Sequence, residues 1–142
     1  MAAIIKINGV EALACWDSGA QLDCISPDFI RAIGLEPQSR CKPLKIHLGT
    51  KGSTSTTSYE VTPHIEVANI NANHRFDVVN LHKWDIILGS VFCNKHKVHL
   101  DYDTHQIHFG GKHIGGTSIP TLAEKDGVRP RPSKARMAAM HD

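Results

Sequence analysis

The stretch Trp16-Asp17-Ser18-Gly19-Ala20 places a carboxylate, a hydroxyl and a glycine directly after the apolar run Leu13-Ala14-Cys15-Trp16. A carboxylate at the inner end of a buried strand is costly unless it is hydrogen-bonded or used in chemistry. Asp17 can be a turn aspartate that accepts backbone N–H bonds. It can also be one half of a carboxylate pair that shares a proton. In such a pair one member activates a water as base, and the other polarises a scissile carbonyl as acid. Two like charges about 3 Å apart cannot both ionise, so the pair stays half-protonated over its working range. The Asp-Ser-Gly motif occurs once, and the chain has no internal repeat. One copy cannot supply two carboxylates; two copies about a two-fold axis can, Asp17 facing Asp17.

The elements around Asp17 read mostly as short strands with period-two patterning and turn signals between them. Residues 3–7 and 11–16 form a hairpin across Asn8-Gly9, a pair that tolerates positive φ. Residues 26–34 read as a short helix: Ser26 caps it, Pro27 suits the first position, Asp28 favours the positive end and Gly34 closes it. Residues 44–48 alternate as a strand. The run 49–58 has no large apolar residue, so it projects from the core as a loop or hairpin starting at Gly49, its tip near Thr50, Lys51, Gly52 and Ser53. Tyr59, Val61, Pro63, Ile65 and Val67 fall on one face of the next strand, with a free edge or kink at Pro63. Residues 69–73 are turn-like, and 74–81 contain a further strand. Asp85-Ile86-Ile87-Leu88-Gly89 reads as a buried strand ending in glycine. Residues 90–97 suit a short helix capped by Ser90, and 98–102 with 106–109 make a closing hairpin. Beyond that hairpin, Gly110-Gly111 and Gly115-Gly116 interrupt any regular element. We therefore expect one domain over residues 1–114 and a tail or linker over 115–142.

Together these residues resemble a known family. Trp16-Asp17-Ser18-Gly19-Ala20 is similar to the active-site motif of retropepsins, the aspartic proteases of retroviruses and retrotransposons. Asp85-Ile86-Ile87-Leu88-Gly89 is similar to their second signature, and the loop at 49–58 sits where they carry a flap. Ile25-Ser26-Pro27-Asp28-Phe29, Leu48-Gly49-Thr50, Phe76-Asp77-Val78-Val79-Asn80 and Ile119-Pro120-Thr121-Leu122 resemble proteases of fungal gypsy-class long-terminal-repeat retrotransposons. The resemblance runs from about Ala3 to Leu122. It implies an all-β fold with one or two short helices, a closed β half-barrel with a flap hairpin. It implies a homodimeric aspartic endopeptidase that processes extended peptides or a polyprotein. Asp17 would be catalytic, Ser18 would bond across the dimer, Gly19 would lend its N–H to the carboxylate, and Ala20 would lie against substrate. Leu88 and Gly89 would pack beneath the site, and Asp23 would lie near the region that contacts substrate backbone. The flap tip departs from retroviral relatives in being polar. No cofactor or metal is implied. The competing reading is a catalytically inactive dimerisation or peptide-binding module on the same fold.

Composition limits the alternatives. The 142 residues suit a single domain, with 41% apolar and 21% charged side chains. The net charge of +2 is too small to argue for nucleic acid, and Arg129, Arg131, Lys134 and Arg136 lie near the end of the chain. Direct nucleic-acid binding is therefore not expected. No apolar run approaches the roughly 20 residues of a membrane span. Cys15, Cys24, Cys41 and Cys93 form no Cys-x-x-Cys pair, which suits free thiols in an intracellular, cytoplasmic setting, virus-like particles included. Among ten histidines, Cys93, His96 and His99 have a suggestive spacing. Zinc needs four converging ligands, and no second pair matches them, so they read as strand and turn histidines.

Overall fold

The computed structural model describes residues 1–47 and 54–116. They form a nine-stranded sheet, a three-stranded sheet and two short helices. Strand β1 (Ala2–Ile7) turns at Asn8-Gly9 into β2 (Val10–Trp16), pairing from Ala2↔Cys15 to Ile7↔Val10. Asn8 at φ 50° and Gly9 at φ 81° supply the two positive values that a two-residue hairpin needs. After β3 (Cys24–Ile25) comes α1 (Pro27–Ala32). The Ser26 hydroxyl accepts the Asp28 N–H at 3.2 Å, and Gly34 exits at φ 73°, as the residue types require.

Strand β4 (Gln38–His47) pairs with β5 (Thr54–Val61) in an antiparallel hairpin whose register shifts between Ser39 and Leu44. It begins well before the expected residue 44. As an edge strand it carries exposed residues such as Gln38, Ser39 and Lys42, which hide its pattern. The strand expected to run from Tyr59 to Val67 is two strands. β5 ends at Val61, and β6 (His64–Val67) starts after Pro63, which has no N–H to give a ladder. Here the chain leaves one partner for another: Val61 pairs with Phe76, whereas Ile65 pairs with Ile7. Val61, Pro63, Ile65 and Val67 are buried as the alternation requires, but Tyr59 is exposed.

The turn expected at 69–73 is instead strand β7 (Ile70–Asn73), joined to β6 through Ala68 at φ 52°. Next come β8 (Phe76–Val78), β9 (Ile86–Leu88) and α2 (Ser90–Lys95). Ser90 is not the cap of α2. Gly89 occupies that position without a side-chain bond, and the Ser90 N–H donates to the Ala20 carbonyl at 2.7 Å. Strands β10 (Val98–Asp101) and β11 (Gln106–Phe109) form the expected hairpin. Gly110-Gly111 does not end the fold; Gly110 at φ 68° turns the chain into β12 (Lys112–Gly115), paired with β11.

The large sheet runs β4-β5-β8-β3-β9-β2-β1-β6-β7. Its centre is β9, parallel to β2 and antiparallel to β3. Trp16 joins the layers: its ring meets Phe92 of α2 edge-on at 5.7 Å and Phe109 of β11 at 5.5 Å. Among the described residues, no helix is long and apolar enough to cross a membrane.

Candidate active site

Asp17 follows the last residue of β2. The β2–β9 ladder ends at Trp16↔Leu88, and the Asp17 N–H extends it by donating to the Leu88 carbonyl at 2.9 Å. The chain then turns sharply. The Ala20 N–H donates to the Asp17 carbonyl at 3.0 Å, and the Gly19 N–H donates to Asp17 Oδ1 at 3.0 Å. Asp17, Ser18 and Gly19 are exposed, and Ala20 is half-buried. An added Cβ on Gly19 would lie 3.3 Å from Asp17 Oδ1, so glycine leaves the carboxylate room. The strand behind the loop is apolar and buried, so the backbone is fixed while the acid faces outward.

Leu88 and Gly89 lie beneath this loop. Leu88 is fully buried in the main core. A Cβ on Gly89 would approach the carbonyl oxygens of Ala20 and Leu22 to 2.5 Å, so only glycine lets the loop lie this close. The structure brings Asp17, Ser18, Gly19, Ala20, Leu88 and Gly89 together. Gly49, Thr50, Lys51, Gly52 and Ser53 lie outside the described residues; only their flanking arms, β4 and β5, are seen paired.

The PEG10/RTL1 protease domain family matches residues 13–117. The chain belongs to this family. The match takes in both Asp17 and Leu88-Gly89. Among solved structures, the retroviral protease-like domain of Ddi1 from Leishmania major is similar at a TM-score of 0.62 with 18% identity; the match covers 84% of this chain and 95% of that one. At that identity the likeness speaks for the fold. No curated protein sequence matches the chain.

The retropepsin-like domain also holds buried polar residues whose structural roles sequence reasoning did not find. Asp85 is fully buried: its Oδ2 accepts the Leu13 N–H at 2.9 Å and its carbonyl accepts the Ser26 N–H at 2.8 Å, stitching β2, β9 and the start of α1. Asp77 of β8 is 2% exposed and is bonded by Arg40 of β4 and by Arg75 at 2.9 Å; Arg75 also reaches Glu60 of β5 at 2.5 Å. Burial works against the charge on Arg75, but the Glu60 bond and the Asp77 and Glu60 charges outweigh it and hold the guanidinium above its ordinary value. Asp23 lies at the end of the loop that carries Asp17. It is buried, its Oδ1 accepting the Gly89 N–H at 2.7 Å and its Oδ2 facing His74 Nε2 at 2.6 Å. The signal was a charged side chain inside an apolar run, as in Leu22-Asp23-Cys24-Ile25 and Trp84-Asp85-Ile86.

A second apolar cluster of Cys24, Val79 and Leu81, with Leu22, Leu44, Trp84 and Ile87 against it, lies apart from the main core. It includes Cys24 of β3 and is packed by Ile87 of β9. All four cysteines are free thiols. Burial first, then the charges of Asp77 and Asp23, push Cys24 up to about 12; burial, Asp23 and Asp17 push Cys93 up to about 11. His99, His108 and His113 are cross-strand neighbours, ring centroids 6.4 and 5.5 Å apart. Among the described residues no three His, Cys, Asp or Glu side chains gather as metal ligands.

Proposed function

We propose that this chain is an aspartic endopeptidase whose active site forms only when two copies associate, each contributing one Asp17. The observation that carries the reading is the exposed Asp17 on the loop that leaves β2, whose backbone is hydrogen-bonded to the end of β9. A lone exposed aspartate has no acid beside it to hold a shared proton. A second copy about a two-fold axis supplies that partner, so one carboxylate takes a proton from water while the other, protonated, polarises the peptide carbonyl. Ser18 would then bond across the axis and Ala20 would lie against substrate.

The natural role would be processing of a polyprotein. Descent from a gypsy-class fungal retrotransposon rests on the sequence phrases around Ile25, Leu48, Phe76 and Ile119 alone. Four free thiols suit a reducing, cytoplasmic setting.

The test is cleavage of an extended peptide library at mildly acidic pH by wild type and Asp17→Ala, with solution mass measured on both. The proposal expects cleavage by the wild-type dimer, inhibition by a statine-type peptide and none by Asp17→Ala. Equal behaviour of the two proteins, with the dimer intact, would leave a peptide-binding or dimerisation module instead.

A further inference from the structure

We infer that Asp23 and His74 form a buried positioning couple that fixes the Gly89 amide beneath the loop carrying Asp17. The kinetic part of this inference rests on the reading of Asp17 as catalytic; the structural part does not.

Loop 17–23 is tied to the end of β9 at three points. Asp17 N–H meets the Leu88 carbonyl, Ser90 N–H meets the Ala20 carbonyl, and Gly89 N–H meets Asp23 Oδ1 at 2.7 Å. The first two ties are backbone alone. The third depends on a side chain, so its position depends on what holds that side chain.

His74 holds it. Its Nε2 lies 2.6 Å from Asp23 Oδ2, and both residues are buried. A carboxylate only accepts, so Nε2 carries the proton that is shared with it. Such charge-assisted bonds are short and directional. The imidazole is itself braced. Its ring meets Phe76 at 5.1 Å and Phe92 at 5.0 Å, both edge-on, and its backbone N–H donates to the Pro63 carbonyl at 2.9 Å. Its Nδ1 is buried with no partner among the described residues. His74 is 5% exposed and walled by phenylalanines, so it cannot touch a peptide. It acts through Asp23, and Asp23 acts through Gly89.

Gly89 has no slack in which to absorb a loss. It is packed against the Ala20 and Leu22 carbonyls so tightly that a methyl group would not fit. Freeing the Asp23 carboxylate strands the Gly89 N–H, and the loop has to shift to find water. A displacement of about 1 Å at a reacting group costs on the order of a hundredfold in rate.

The experiment uses the full chain and two readouts, amide exchange by NMR and steady-state cleavage of a peptide. His74→Phe keeps a ring in the aromatic pocket but removes the donor. The expected result is exchange of the Gly89 amide at least tenfold faster while amides in β1 and β11 hold their rates, with kcat lower by tenfold or more and KM within twofold. His74→Gln, which restores an N–H donor, should recover most of both. Asp23→Asn gives an independent reading. Its single oxygen stays with Gly89 and its NH2 faces Nε2, so the ring 15N shifts of His74 should report transfer of the proton to Nδ1. Unchanged Gly89 exchange in His74→Phe overturns the inference, as does uniform acceleration of all amides, which would mean a role in global stability only. If wild type and Asp17→Ala cleave alike, the peptidase reading falls and the exchange data still decide this one.

Discussion

The N–H of Asp17 donates to the carbonyl of Leu88 at 2.9 Å, which makes the candidate catalytic acid the first residue past a parallel ladder. Strand β2 comes from the N-terminal hairpin, and β9 comes from late in the described chain. Neither strand fixes the acid alone. Their pairing sets where the backbone stops being buried and where the carboxylate emerges. The geometry of the site is therefore a long-range property of the fold, and damage to β9 should be felt at Asp17 without touching it.

Mixing wild type with Asp17→Asn should give a distinctive loss. Asp17 is exposed, so the substitution should change stability by no more than about 0.5 kcal/mol, and dimers should form at random. Each acid contributes on the order of 10²–10⁴-fold. At equal parts and constant total protein, only about a quarter of the dimers carry two Asp17 side chains, and activity should fall to that level. A value near one half in a peptidase titration would mean that each chain works alone.

Gly89→Ala should be among the most damaging small substitutions in the chain. Its φ is −99°, so the backbone conformation admits alanine. The obstacle is space, because the methyl carbon meets two carbonyl oxygens at 2.5 Å, and both belong to the loop under which Gly89 packs. Overpacking of this kind costs about 1–3 kcal/mol. A chemical denaturation midpoint should drop accordingly, and kcat should drop with it. A variant with full activity would show that the loop tolerates displacement.

The sequence showed some of this plainly and hid the rest for physical reasons. Asn8-Gly9, Ser26-Pro27 and Gly34 report local backbone needs, so the first hairpin and α1 were legible. Asp17-Ser18-Gly19 and Leu88-Gly89 were legible as motifs, although their contact depends on a parallel pairing that no local pattern encodes. Strands β4 and β7 were missed or shortened because edge strands need no apolar alternation. Ser90 looked like a cap because its residue type suits one; the Ala20 carbonyl claimed its N–H instead. The pairing of Asp23 with His74 and Gly89, and of Asp77 with Arg40, was illegible because it joins residues distant in sequence.

Asp77→Ala should loosen the arms of the β4–β5 hairpin. Asp77 is the shared buried counter-ion of Arg40 and Arg75, and Glu60 meets the same two guanidiniums from β5. Removing one partner of a buried ion pair costs about 3–5 kcal/mol when the remaining charge is left uncompensated; here Glu60 still meets both guanidiniums, which lowers the cost. Arg75 is 45% exposed and can turn to water, which favours the lower end. Thermal unfolding should register the loss, and proteolytic nicking of the hairpin should speed up. Asp77→Leu, which adds apolar bulk but leaves both arginines with Glu60 alone, should not restore stability; Asp77→Leu combined with Arg40→Met should recover part of it.

The thiols predict an alkaline limit to stability. Burial above all raises Cys24 to about 12 and Cys93 to about 11, and Cys15 is raised as well, from an ordinary value of 9.0. An unfolded chain releases these protons near 9, whereas the folded chain still holds them. The stabilisation from keeping the thiols neutral is therefore complete below pH 9 and is lost as pH rises from there towards 12. Cys24→Ala should flatten this slope in denaturation curves collected between pH 8 and 11, even though it lowers stability at neutral pH. The same burial sets reactivity, since the thiolate is the nucleophile. At pH 8 a disulfide reagent should modify the exposed Cys41 quickly in the native protein, and the other three only after denaturant is added. Rapid reaction of more than one native thiol would show that the core around β2, β3 and α2 opens far more readily than its packing implies.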